Sequence, residues 1–259
     1  MNPVGLVLGR ANRSAIFESG LRRLPPAAYL APIRAIVRGL RHVNQHGWTD
    51  ADPVALRWVD PSAIETEFLD DTPGLPACGR VVAGDWDQVD DRFMDRPVPR
   101  AIERHYCDGI PWNETCLSDE FREQIERFGS AWGYSDPARF HQRVREIEAL
   151  HDSIDKQGYC TQRERLDGTN QKRIGGMPVP VLGEINVDIA RNGAFIWRRF
   201  GQHRLAIARI LGIDSIPVLV VRRHRRWQSV RDRCREGLEP SPRYRDHPDL
   251  RGLGGECED

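Results

Sequence analysis

Residues 183–224 read GEINVDIARNGAFIWRRFGQHRLAIARILGIDSIPVLVVRRH. Ile185, Val187 and Ile189 alternate with Asn186 and Asp188, which predicts a half-buried strand. Arg191-Asn192-Gly193 supplies the positive-φ residues of a tight hairpin turn. Ala194 to Phe200 returns as a second strand, and Gly201 breaks it. A helix begins near Gln202 and is apolar on most sides through Leu205, Ala206, Ile207, Ala208, Ile210 and Leu211, with Gly212 as its C-terminal cap. Ile216 to Val221 is a continuous apolar run, the form of a central strand.

The first turn of that helix is where chemistry is expected. Its unpaired N–H groups and the positive end of the dipole favour an anion. Gly201 allows close approach of a ligand to the backbone, and His203 and Arg204 add donors at the same end. Two basic residues there oppose the dipole unless an anion is bound.

Gly201-Gln202-His203-Arg204, the strand before it and the Leu211-Gly212-Ile213…Ile216-Pro217-Val218 run after it resemble the core of the ParB/sulfiredoxin superfamily. Sulfiredoxins carry Gly-Cys-His-Arg at this place, ParB proteins Gly-Glu-Arg-Arg and archaeal free serine kinases Gly-His-His-Arg. The resemblance implies an α+β fold, a ParB/sulfiredoxin-like mixed sheet with flanking helices, and a nucleotide-phosphate site at Gly201, Gln202, His203 and Arg204. Gln202 stands where sulfiredoxins have their catalytic Cys, so thiol-based reduction is not expected. Neither a helix-turn-helix after residue 224 nor a second ParB nucleotide box is legible, which argues against a chromosome-partition clamp.

Outward from this core, Pro53 to Ile64 reads as a strand ending at Asp60-Pro61, similar to the opening of the same fold. Glu65 and Glu67 follow. In the serine kinases a glutamate after this strand activates the substrate hydroxyl, so the resemblance implies that one of these two is a base. The plainer reading of both is a solvated helix face. Asp85 and Asp87 flank Trp86 at the end of a further strand, among Asp90 and Asp91. They suit a metal or a substrate amine, or an ordinary turn, and with Glu65 and Glu67 they are the candidates for catalytic base or magnesium ligand. Trp112 suits base stacking or a core anchor. Leu150, Ser153, Ile154 and Gly158 match the helix before the central strands of the superfamily.

The expected organisation is an N-terminal segment (1–52) with an amphipathic helix, a ParB/sulfiredoxin-like domain (53–227) carrying a helical insertion at about 65–145, and a charged, partly disordered tail (228–259). The helix of the first segment spans about Ala27 to His46, with Ile33, Ile36, Val37, Leu40 and Val43 packed on the domain and Arg34, Arg38 and Arg41 in water. Tyr159 to Leu166 is a strand candidate, followed by a polar loop with Lys172 and Arg173.

Composition narrows the functions. Lys plus Arg and Asp plus Glu both number 38, so no global basic excess announces nucleic acid. The six cysteines show neither C-x-x-C nor a zinc pattern, which predicts reduced thiols in a cytoplasmic protein. No apolar run has the length of a membrane span. The leading expectation is a nucleotide-dependent phosphotransferase or nucleotide hydrolase acting on a small hydroxylated substrate, using ATP, ADP or CTP with Mg2+. The alternatives are a ParB-like nucleic-acid-binding protein or nuclease, supported locally by Arg222, Arg223, Arg225 and Arg226, and a non-catalytic module whose phosphate site has decayed.

Overall fold

The nine residues Ile216–His224 are buried without exception, the apolar run Ile216–Val221 as a strand with both faces covered must be. They are the last and longest strand of a computed structural model that describes residues 26–69, 78–167 and 180–253. In chain order the elements are α1 (Pro26–Val43), β1 (Leu56–Val59), β2 (Ile64–Glu67), β3 (Arg80–Val82), α2 (Pro97–Asp108), α3 (Leu117–Phe128), α4 (Phe140–Gln157), α5 (Gln162–Asp167), β4 (Ile185–Ile189), β5 (Phe195–Trp197), α6 (Gln202–Ile210), β6 (Ile216–His224) and α7 (Arg225–Arg235).

The strands make one mixed six-stranded sheet in the order β1-β6-β4-β5-β2, with β3 also on β6. β6 pairs antiparallel with β1 over its first half, parallel with β3 over its second half, and parallel with β4. β4 and β5 form an antiparallel hairpin, and β2 runs parallel to β5. Although β1 and β2 stand at the two ends of this order, only the turn Pro61–Ala63 and one flanking residue separate them. Four strand spacings span about 19 Å, whereas five residues reach about 17 Å even when fully extended. The sheet therefore curls until its edges approach.

The main core lies between the sheet and α6. Ile185, Val187 and Ile189 of β4, Trp197 of β5 and Val218 and Val220 of β6 meet Leu205, Ala206, Ile207 and Ala208 of α6. α2 packs on the outer side of α6. β4 was expected to be half-buried; both of its faces are buried. Its polar residues find partners: Asn186 bonds the Glu184 carbonyl, and Asp188 accepts from Arg198 at 2.9 Å and from Arg222 at 2.6 Å. In the β4–β5 turn only Gly193 has a positive φ; Arg191 and Asn192 do not.

Three expectations need correction. Residues 162–167 form helix α5, not a strand. Thr161 and Glu164 close a reciprocal capping box: the Thr161 hydroxyl accepts from the Glu164 N–H at 3.2 Å and the Glu164 carboxylate accepts from the Thr161 N–H at 2.7 Å. The 65–145 insertion, expected to be mostly helical, begins with β2 in the sheet; β3 falls within the strand expected at Gly79 to Trp86, and the described α-helices of the insertion begin at Pro97. The tail is packed through residue 250: Trp227 is buried, Tyr244 and His247 lie against its ring, and Leu250 and Asp249 are buried beside it. The loop with Lys172 and Arg173 lies outside the described residues. Among the described residues no helix is long and apolar enough to cross a membrane. Among the described cysteines, Cys107, Cys116, Cys160 and Cys234 carry free thiols, and Cys78 and Cys234 are buried.

Candidate functional site

α6 opens at Gly201, which holds φ +81°. A Cβ there would lie 2.6 Å from Ile185 Cγ1 and 3.1 Å from Ile185 Cα. The glycine thus lets the helix start directly against β4. Close packing of helix on strand, rather than ligand approach, accounts for it.

Arg204 points inward. Its guanidinium donates to Glu184 at 2.9 Å, to the Tyr159 hydroxyl at 3.1 Å and to the Gly183 carbonyl. With its amide oxygen turned toward this group, Gln162 accepts as well. Glu184 is buried and also takes the Gln162 N–H at 2.6 Å. Burial pushes the Glu184 carboxyl up, and the Arg204 charge opposes that shift. Arg204, expected to grip a phosphate through parallel hydrogen bonds, instead ties α6 to β4 and α5.

His203 is also engaged. Its Nε2 faces an Arg143 guanidinium nitrogen at 3.0 Å, and Trp132 meets its ring edge-on. Arginine can only donate, so Nε2 accepts. Burial and the nearby Arg143 and Arg204 charges push the imidazole well below the usual histidine range, so it is neutral. Gln202 is half-buried, and its Oε1 is buried without a hydrogen-bond partner among the described residues. Arg199, two residues before Gly201, is exposed.

Of the four carboxylates singled out by sequence, one lies at this end of the sheet. Glu67 is paired in register with Trp197, four residues before Gly201. Its side chain is 15% exposed and ion-paired to Arg96. The Arg96 guanidinium lies 4.8 Å from the Trp197 ring centre, and Trp197 Nε1 donates to the Phe200 carbonyl at 2.9 Å. Glu67, Arg96, Trp197 and Phe200 form one connected path to the start of α6. Burial raises the Glu67 carboxyl above its ordinary value, with Arg96 pulling the other way.

The other three are elsewhere. Glu65 is exposed and lies beside Arg209, which donates to the Ile64 carbonyl at 2.6 Å. Arg209 is at the C-terminal end of α6, about 10 Å along the helix from its first turn. Asp85 and Asp87 are held by Arg191 at 2.7 and 2.6 Å. Arg191 sits in the β4–β5 turn, at the end of β5 away from Gly201. Trp86 between them is explained by Arg222, stacked 3.9 Å from its ring centre. Trp112 is a core anchor, buried, stacked on His105 and bonded through Nε1 to Glu148 at 3.0 Å.

Arg96, Trp197, Tyr159, Glu184 and Arg143 were not singled out by sequence. Glu184, an acid opening a buried strand, was the one with a readable signal. Among the described residues no group of three or more His, Cys, Asp or Glu side chains is placed to hold a metal ion. No family model, curated protein or solved structure matches this chain.

Proposed function

We propose that this chain is a ParB/sulfiredoxin-like protein that binds a nucleotide by its phosphates at the N-terminus of α6 and uses Glu67 as the base in phosphoryl transfer to a hydroxylated small molecule or to water. One observation carries this reading: Glu67, half-buried with a raised carboxyl, stands at the same end of β5 as the opening of α6. The first-turn N–H groups of α6 supply donors for phosphate oxygens, with the exposed Arg199 alongside. Gln202 Oε1, buried and unpartnered among the described residues, suits a donor on the ligand. Mg2+ would arrive on the nucleotide, since it needs few protein carboxylates when phosphates supply ligands.

Phosphoryl transfer requires positioned phosphates, neutralised charge and an oriented nucleophile. Here the acceptor O–H would give its proton to Glu67 as its oxygen bonds to phosphorus, while the bridging P–O bond of the nucleotide breaks. Arg204 acts as a positioning residue, fixing the helix start on β4. Half of the cationic run that favoured nucleic acid is used internally, Arg222 pairing with Asp188 and Arg223 with Asp249, whereas Arg225 and Arg226 are exposed.

Turnover assays on three variants test the choice of base. Glu67→Gln is expected to bind nucleotide within about threefold of wild type and to lose turnover by about a hundredfold or more, the usual contribution of a general base. Asp85→Asn and Glu65→Gln are expected to match wild type. A loss confined to Asp85→Asn would place the chemistry at the β4–β5 turn and remove this reading.

A further inference from the structure

Helix α1 shows three faces. Leu30 and Val37 are buried against the body, where Arg34 donates to Asp52 at 2.8 Å and Arg41 to the Trp48 carbonyl at 2.7 Å and to Asp232 at 3.1 Å. These contacts fix the helix. The expectation that Ile36, Leu40 and Val43 also pack inward is not met: they are 46, 37 and 87% exposed. Spaced i, i+4, i+7, they form one continuous apolar flank. On the other flank lies an open groove of about 900 Å³ lined by Ala35, Arg38, Gly39, Arg41, His42 and Arg235.

Gly39 separates the two flanks. It is nine residues from Leu30, or about half a turn around the helix from the buried face. A Cβ on it would meet nothing within 4 Å, so packing does not demand this glycine. In a helix interior it is the least favourable residue after proline. The outward face of α1 is therefore a small-residue strip with cations on one side and three exposed aliphatic side chains on the other.

We infer that α1 is an interfacial helix that docks the protein on an anionic lipid surface. Arg38 faces the headgroup phosphates, with His42 and the half-exposed Arg235, itself paired to Asp232 at 3.5 Å, beside it, and Ile36, Leu40 and Val43 enter the acyl boundary. Charge complementarity sets the sign of the partner, and the apolar flank sets its kind. A nucleic-acid backbone would satisfy the cations and leave three aliphatic side chains in water, whereas an anionic membrane satisfies both flanks. With one short helix engaged, the docking is reversible and weakens as salt rises. It is independent of the nucleotide site.

Co-sedimentation of the full chain with vesicles tests this. Wild type is expected to sediment with vesicles containing one third phosphatidylglycerol and not with pure phosphatidylcholine. Val43→Asp and Arg38→Glu, both at exposed positions, are expected to keep the wild-type melting temperature and to lower the bound fraction about tenfold or more. Failure to bind anionic vesicles, or binding that survives Val43→Asp, overturns the proposal. Binding of a single-stranded oligonucleotide that is lost in Arg38→Glu but kept in Val43→Asp assigns the groove to nucleic acid instead. A dimer at sedimentation equilibrium that Val43→Asp dissolves assigns the apolar flank to a second copy of the chain.

Discussion

Asp249→Ala is expected to lower unfolding stability by about 3–5 kcal/mol, the cost of orphaning buried charges. Asp249 is 1% exposed and accepts from Arg223 at 2.6 and 2.9 Å and from Trp227 Nε1 at 3.0 Å, with Arg231 at 3.3 Å and Arg57 at 3.5 Å. Removing it leaves the buried Arg223 guanidinium without its carboxylate, and Arg231 with Asp50 as its one remaining carboxylate beside the backbone carbonyl of residue 249. The urea midpoint reads this directly, and an unchanged slope would show that the denatured state is not the cause. A midpoint within experimental scatter of wild type would mean that the last residues do not belong to the core.

The same cluster sets an acid limit. Despite burial, the Arg223 and Arg231 charges hold the Asp249 carboxyl well below the usual carboxylate range, and Arg231 brings Asp50 down to about 2 against the effect of burial. Both groups have folded values below their unfolded ones, so the unfolded chain binds more protons as acid is added. The stabilisation is fully present above about pH 4 and is lost as pH falls from there toward about 2. Acid unfolding monitored at fixed urea is expected to show this loss, and Asp249→Ala is expected to flatten it.

Gly201→Ala carries the second large effect. An L-residue at φ +81° costs about 1–2 kcal/mol, and pressing a methyl against Ile185 adds about 1–3 kcal/mol of overpacking. The total is about 2–5 kcal/mol. Gly109 offers the comparison, since it also has positive φ but open space around it. Gly109→Ala is expected to cost only the backbone part, about 1–2 kcal/mol. Equal losses in the two variants would mean that α6 does not start as tightly on β4 as described.

The central elements were legible because their apolar residues announce them. The run Ile216–Val221 and the block Leu205–Ala208 are buried as their patterns require. α5 was missed because its capping box, Thr161 to Glu164, was outweighed by a strand-like reading of Tyr159 to Leu166. The tail was missed for a different reason. Residues 228–250 are anchored by ion pairs to Asp249 and by a few scattered side chains such as Tyr244 and Leu250, which hydropathy cannot register. Two features of the site were beyond sequence. The partner of Arg204 is Glu184, twenty residues upstream, and this pair turns an apparent phosphate ligand into an anchor. Glu65 and Glu67 differ in exposure across a strand with a register shift between Ile64 and Thr66, which no alternation pattern predicts.

The most direct test of the nucleotide-binding proposal is a calorimetric and thermal titration of the full chain with ATP, ADP and CTP in the presence of Mg2+, for wild type and Arg199→Glu. Arg199 is exposed, so its reversal is expected to leave the fold intact. A nucleotide present at about a hundred times its dissociation constant stabilises the native state by about 2.7 kcal/mol. For a domain of this size that raises the melting temperature by about 5–10 °C. Such a rise is expected for at least one nucleotide, with a loss of affinity of about tenfold or more in Arg199→Glu. No binding heat and no thermal shift with any nucleotide would contradict it, and so would binding that is indifferent to Arg199→Glu.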